Sequence, residues 1–225
     1  MTSTALAQAT GVARTFGTGP AAVVAIHDID CSIHLTERIA LMGPSGSGKT
    51  TLLHLFAGLD EPTTGTVDWP GIGTISELRP GPVAVVFQAP SLMPPLDVIE
   101  NVALPLLLAG AERHDARARA LEALGRLGLD HLAAKLPEEL SGGQAQCVAI
   151  ARVLADRPML ILADEPTGQL DHRNGAAVID ALIAAAAQTG AALVVNTHDP
   201  AVAERLPSRW SMANGALTIA KAAPC

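Results

Sequence analysis

The sequence contains no tyrosine, two tryptophans and three phenylalanines, so aromatic residues make up 2% of its 225 positions. Any step that needs an aromatic face, such as stacking on a base, has few residues to draw on. Cysteine is equally scarce. Cys31, Cys147 and Cys225 are too few and too scattered for a disulfide framework or a zinc site, which fits a reducing, intracellular compartment. There is no basic tract, and the formal net charge is −7. Nucleic acid is not expected as the main partner, because neutralising phosphates takes clustered Lys and Arg. No uninterrupted apolar run reaches the ~20 residues that span a bilayer. Residues 102–111 and 176–187 come nearest and are too short or are broken by polar residues. Residues 1–10 lack the basic start and long apolar core of a signal peptide. The expectation is a protein soluble by itself, for which any membrane role needs a separate partner chain.

Hydrophobic residues make up 49% and charged residues 16%, the balance of a globular chain long enough for one large domain. Its organising stretch is Gly43-Pro44-Ser45-Gly46-Ser47-Gly48-Lys49-Thr50, which fits G-x-x-x-x-G-K-[ST]. The apolar run Ile39-Ala40-Leu41-Met42 before it reads as a buried strand. Residues 51–58 after it read as a helix closed by a C-cap glycine, Gly58. Strand, glycine-rich loop and helix make a phosphate-binding loop: backbone N–H groups converge on an anion and the helix dipole adds positive charge. Lys49 would reach the β- and γ-phosphates, and the Thr50 hydroxyl would bind Mg²⁺.

Hydrophobic patterning predicts strands at 4–15 and 21–35 about the turn Gly17-Thr18-Gly19-Pro20, then 37–42 into the phosphate loop, 66–68 and 83–87. Residues 70–82 read as a loop with a short helical turn at 75–78. Residues 98–155 turn rich in Ala and Leu at helical spacing, with Ala116, Ala120, Leu121, Leu124 and Leu127 on one face. From Met159 the alternation resumes: strand 159–163, helix 172–188, strand 191–196, helix 199–206, and a hairpin of 209–213 and 216–219 about Asn214-Gly215. The fold class is α/β, with a mainly parallel sheet, an N-terminal antiparallel β subdomain and an inserted α-helical subdomain. A single domain over 3–221 is expected, its core at about 1–88 and 158–221 and its helical part at about 89–157.

The strand from Met159 ends in Asp164 and Glu165. Parallel sheets bind ligands at the carboxyl ends of their strands, so Asp164 would sit by the phosphates and hold Mg²⁺. Glu165 would act as general base on a water. Leu140-Ser141-Gly142-Gly143-Gln144 opens the helix running to Leu154, and a Ser and two glycines at a helix start make a second anion site.

The order of residues 43–50, Gln88, residues 140–144, residues 162–165, Leu170-Asp171 and His198 resembles an ATP-binding cassette (ABC) ATPase over roughly residues 6–219. Residues 40–49, Gly58-Leu59-Asp60 and residues 100–106 are similar to the branch containing lipoprotein-releasing, macrolide-exporting and cell-division ABC ATPases. The resemblance implies that two copies pair head to tail, as a homodimer or with a similar ATPase, and bury two ATP molecules. Gly43, Pro44, Ser45, Gly46, Ser47, Gly48, Lys49, Thr50 and Thr51 of one copy hold the phosphates. Ser141, Gly142, Gly143 and Gln144 of the other contact the same γ-phosphate. Gln88, Thr50 and Asp164 would hold Mg²⁺, and Gln88 would transmit nucleotide state. Asp171 would lie at the dimer seam, and His198 would contact the γ-phosphate and orient the water. Phe16 stands where relatives place an aromatic, often Tyr, on adenine. Cys147 stands where relatives usually carry Arg, and residues 66–82 are shorter and less polar than in this branch.

The implied activity is ATP hydrolysis that powers an integral-membrane permease docked near residues 90–108, between Pro90 and Leu108, of export or extraction type. Location would be peripheral, on the cytoplasmic face of the cell membrane. An alternative is a nucleotide-gated regulator that signals through a membrane partner without moving cargo. A soluble ABC ATPase acting on DNA or ribosomes would carry a coiled-coil insertion or a second cassette, and this chain has neither. A GTPase would carry Asn-Lys-x-Asp, which is absent. The substrate is not written in the sequence.

Overall fold

The computed structural model describes residues 4–220. The expected bounds at 3 and 221, and Cys225, lie outside the described residues. β1 (Ala5–Phe16) pairs antiparallel with β2 (Val23–His34) on one side and β4 (Thr64–Asp68) on the other. β4 begins two residues earlier than the sequence predicts. A Cβ on Gly65 would lie 2.3 Å from the Gly11 carbonyl oxygen, beside a register shift between Thr10 and Ala13. Gly65 is there because two backbones meet at a bulge.

The second sheet has the order β5-β6-β7-β3-β8-β9. Its strands are β3 (Arg38–Met42), β5 (Val83–Val86), β6 (Leu160–Asp164), β7 (Ala192–Asn196), β8 (Ser208–Ala213) and β9 (Ala216–Ala220). All neighbours run parallel except β9, which turns back on β8 at Asn214-Gly215 as expected. A parallel sheet is covered on both faces, so β3, β5, β6 and β7 are largely apolar. The period of two then sorts the side chains. Ile39, Leu41, Leu160, Leu162 and Val194 join one core, with α1 (Lys49–Phe56) and the antiparallel sheet. Ala40, Ile161, Ala163, Leu193 and Val195 join the other, with the remaining helices. Truncating one such residue, as in Leu162→Ala, costs about 2–5 kcal/mol.

α2 (Val98–Leu108), α3 (Arg113–Arg126) and α4 (Gly142–Ala155) occupy the Ala/Leu-rich block. α3 buries Ala116, Ala120, Ala123 and Leu124, whereas Leu121 is exposed. The sequence-based face is wrong at Leu121, because five residues beyond Ala116 is about 140° round a helix. α5 (His172–Thr189) follows β6 and ends at Gly190 with φ 70°. α6 is confined to Pro200–Ala203, shorter than predicted; Leu206 beyond it is buried all the same. Among the described residues no helix is long and apolar enough to cross a membrane.

Candidate nucleotide site

β3 delivers the chain to Gly43, where φ is 149° and a Cβ would lie 2.2 Å from the Met212 carbonyl oxygen. Gly48, the N-cap of α1, has φ 100°, and a Cβ there would meet the Ala25 carbonyl oxygen at 2.5 Å. The loop is thus wedged between β2 and β8, and no larger residue fits at either end. Pro44, Ser45 and Gly46 are exposed between them. Ser47 is buried and its Oγ has no hydrogen-bond partner among the described residues. The α1 N-terminus has no side-chain cap and no acidic residue in its first turn, so its N–H groups and dipole are uncompensated.

Lys49 is 5% exposed. Its Nζ donates to the carbonyls of Gly43 and Pro44, both at 2.8 Å. An ammonium has three donors, so one remains for a ligand. Thr50 is exposed, with its Oγ1 donating to Asp164 Oδ1 at 3.1 Å, and Thr51 behind it is half-buried. Phosphate loop and acidic strand end, 114 residues apart in sequence, therefore meet.

The ends of β6 and β7 lie side by side, Asp164 opposite Asn196. Asn196 Nδ2 donates to the same Asp164 Oδ1, and the backbone N–H of Glu165 donates to the Asn196 carbonyl at 3.0 Å. Glu165 adopts φ 43°, a left-handed conformation that is unusual away from glycine and clusters at functional sites. It brings Oε1 to 3.4 Å from His198 Nδ1. A Cβ on Gly168 would lie 2.8 Å from Gln88 Nε2 and 3.3 Å from Glu165 Oε2, so Gln88 and Glu165 flank one glycine. A cavity of about 640 Å³ opens beside them, lined by Glu165, Gly168, Asp171, Thr197 and His198 among others.

Two residues that sequence reasoning passed over hold Gln88's segment. Gln146, buried in α4, donates Nε2 to the Phe87 carbonyl at 2.9 Å. Arg152, a turn and a half further on, donates to the carbonyls of Ser91 at 2.9 Å and Pro90 at 3.0 Å. Burial pulls the Arg152 pKa below its ordinary value. Their signal was present, as polar residues on the apolar face of a helix. The distance in sequence, 59 to 62 residues, hid the partners. Between them in the same helix, Cys147 packs half-buried against the helical core, and burial pushes its thiol pKa up.

Residues 141–144 lie elsewhere. Ser141 caps α4: its Oγ accepts from Gln144 N at 3.3 Å, while Gln144 Oε1 accepts from Ser141 N at 2.9 Å. A Cβ on Gly142 would touch Leu170 at 3.4 Å and one on Gly143 would touch Asn174 at 3.2 Å. Asp171 caps α5 through Asn174, Oδ1 accepting from its backbone N–H at 2.9 Å. The pentapeptide is thus joined to the segment of Leu170 and Asp171. Phe16 is 43% exposed, and the Arg14 guanidinium lies 4.5 Å from its ring centre, itself held by Asp60 at 2.7 Å.

Phosphate loop, acidic strand end and capped pentapeptide on one α/β frame define a class, and the chain belongs to the ABC transporter family, whose sequence profile matches residues 26–168. It is an ABC ATPase. Among its relatives is the lipoprotein-releasing system ATP-binding protein LolD of Shewanella oneidensis, 39% identical over 225 residues, 97% of this chain and 98% of that one. LolD of Legionella pneumophila is 41% identical over 211 residues, 91% of this chain and 93% of that one. The dimeric structure of MJ0796, a bacterial ABC transporter cassette, is similar with a TM-score of 0.83 and 37% identity, covering 93% of this chain and 95% of that one. A second dimeric MJ0796 structure, a post-hydrolysis state bound to ADP and Pi, gives a TM-score of 0.81 and 36% identity over the same shares. The branch read from residues 40–49, 58–60 and 100–106, which contains the lipoprotein-releasing ABC ATPases, is the one the LolD relatives occupy.

Proposed function

We propose that two copies of this chain close head to tail around two ATP molecules and so drive an integral-membrane permease that extracts lipoprotein-like cargo. The observation that carries this reading is the split of the site. The phosphate loop, Lys49, Thr50, Asp164 and Glu165 converge within one chain. Ser141 and Gly142 lie exposed at the start of α4, where Gly142 sits beside Leu170 and the buried Gly143 beside Asn174. A helix N-terminus with no cation of its own supplies half of a shared anion site. The dimeric cassettes and the LolD relatives support both the pairing and the cargo class.

In this reading Gly43 to Thr51 wrap the phosphates, and Lys49 uses its remaining donor on the β- and γ-oxygens. Phe16 offers its uncovered face to adenine. The oxygens of Thr50, Asp164 and Gln88 are hard donors that fit Mg²⁺, and Thr50 can keep its proton on Asp164 while a lone pair faces the ion. Bound Mg²⁺ would offset charge building on the phosphates. Glu165 takes the proton of the attacking water as its oxygen bonds to the γ-phosphorus and the bond to ADP breaks. His198, 3.4 Å from Glu165, orients that water. Asp171 meets the partner at the seam. Gln88, tied to α4 through its neighbours, reports the γ-phosphate to the helical block. An apolar groove of about 460 Å³, lined by Val83, Val85, Phe87, Pro105 and Leu108, borders the 90–108 segment and suits a permease's cytoplasmic helix. That would hold the protein to the inner face of the membrane.

The test is a pull-down of the Glu165→Gln protein from detergent-solubilised membranes with ATP and Mg²⁺. Stoichiometric recovery of one multi-span protein bearing lipoprotein is the expected result. Recovery of ribosomal or DNA-bound proteins with no membrane partner would sink the proposal.

A further inference from the structure

Asn196 is a polar residue in an otherwise apolar strand. The four residues before it in β7, Ala192, Leu193, Val194 and Val195, are all buried apolar side chains, and Asn196 itself is 1% exposed. An amide in such a place costs stability unless its groups are paired. Only half of this one is. Nδ2 donates to Asp164 Oδ1, whereas Oδ1 is buried with no partner among the described residues. The amide orientation is fixed by chemistry, since a carboxylate oxygen accepts and only the NH₂ end can face it. A β-branched apolar residue would continue the strand with no unpaired group, so packing does not explain the asparagine.

What the amide does is take one particular oxygen. Thr50 Oγ1 and Asn196 Nδ2 both donate to Asp164 Oδ1. One donor comes from the phosphate loop and the other from the neighbouring strand. Two donors on one oxygen fix the rotation of the carboxylate about its χ2 axis, which in Asp is otherwise broad. Oδ2 is then the oxygen left for a water or an ion. The backbone of the same residue also holds the next carboxylate, because the Asn196 carbonyl accepts from Glu165 N at 3.0 Å.

We propose that Asn196 is a positioning residue for the metal: through Nδ2 it sets the Asp164 carboxylate so that Oδ2 faces the divalent cation bound with the nucleotide. This rests on the assignment of Asp164 to Mg²⁺ made above. Groups that orient a metal-binding carboxylate typically contribute 10–100-fold in metal affinity.

The experiment compares ADP affinity, read with a fluorescent analogue, in saturating Mg²⁺ and in EDTA, for the parent protein, Asn196→Val and Asn196→Thr, with thermal unfolding measured alongside. Asn196→Val should lower the Mg²⁺-to-EDTA affinity ratio about 10-fold while leaving affinity in EDTA within 2-fold. Its melting temperature should be equal to or above the parent's, since the orphaned carbonyl is gone. Asn196→Thr keeps a donor on a β-branched frame and should recover part of the ratio; it carries the test if the valine variant does not fold. An unchanged ratio in Asn196→Val, or in Asn196→Thr where the valine variant does not fold, overturns the role of Asn196. A parent ratio of one would instead remove the assignment of Asp164 to the metal, and this inference with it.

Discussion

Two helices in this chain begin at glycine-rich stretches, and their starts differ. α1 opens at Gly48 with no side-chain cap, no acidic residue in its first turn and the buried Lys49 ammonium beside it. α4 opens at Ser141 with a reciprocal capping box that uses both Ser141 and Gln144, in an exposed position. The first start has unmet donors, a cation and a close-fitting backbone, the features an anion site needs. The second is stable by itself and has only its dipole and its remaining N–H groups to offer. Residue composition makes the two look alike; their surroundings differ.

The comparison is broken most severely at the first start. Lys49→Met should lower phosphate release by about 10²–10³-fold and abolish binding of a fluorescent nucleotide. If binding survives, α1 is not the complete site. At the second start, Ser141→Arg in the Glu165→Gln background should leave monomer nucleotide affinity within about 2-fold while abolishing the ATP-dependent dimer on gel filtration. The lost cap itself costs only about 1 kcal/mol. A parallel loss of monomer binding would merge the two starts into one site. A smaller effect is expected where the two are tied together. Gln146→Leu removes the donor to the Phe87 carbonyl and should destabilise by about 1 kcal/mol or more. That lowers the melting temperature by roughly 2–4 °C per kcal/mol for a chain of this size, read by calorimetry. The smallest effect belongs to Phe16→Leu. Stacking of an aromatic face contributes about 0.5–1.5 kcal/mol, so ATP affinity should fall roughly 2–10-fold in an isothermal titration.

The first start was legible in the sequence because every residue that builds it is contiguous and of a restricted type. The meeting of Asp164 with the phosphate loop was legible because Asp164 ends an apolar run, and parallel sheets gather such strand ends at one edge. The second start needed a family resemblance, since Ser-Gly-Gly before a helix also describes an ordinary cap. Asn196, Gln146 and Arg152 were missed for one reason. Each works on a carboxylate or a carbonyl 32 to 62 residues away, and no local periodicity records that. Leu121 was misplaced by a different cause, in that an apolar side chain near a helical stripe was counted as part of it. The early start of β4 came from Gly65, a turn signal in sequence that in the fold marks a crossing of two backbones.

The hairpin of β8 and β9 contains none of the recognised motifs, yet the Met212 carbonyl stands against Gly43. The Gly215 carbonyl accepts from His27 N at 3.0 Å, binding the hairpin to the strand that holds Gly48 from the other side. The phosphate loop is therefore shaped by residues 25, 48 and 212 together, although its signature spans eight positions. During synthesis, a nascent chain that has emerged only as far as α6 would carry every motif residue and still lack one wall of the loop.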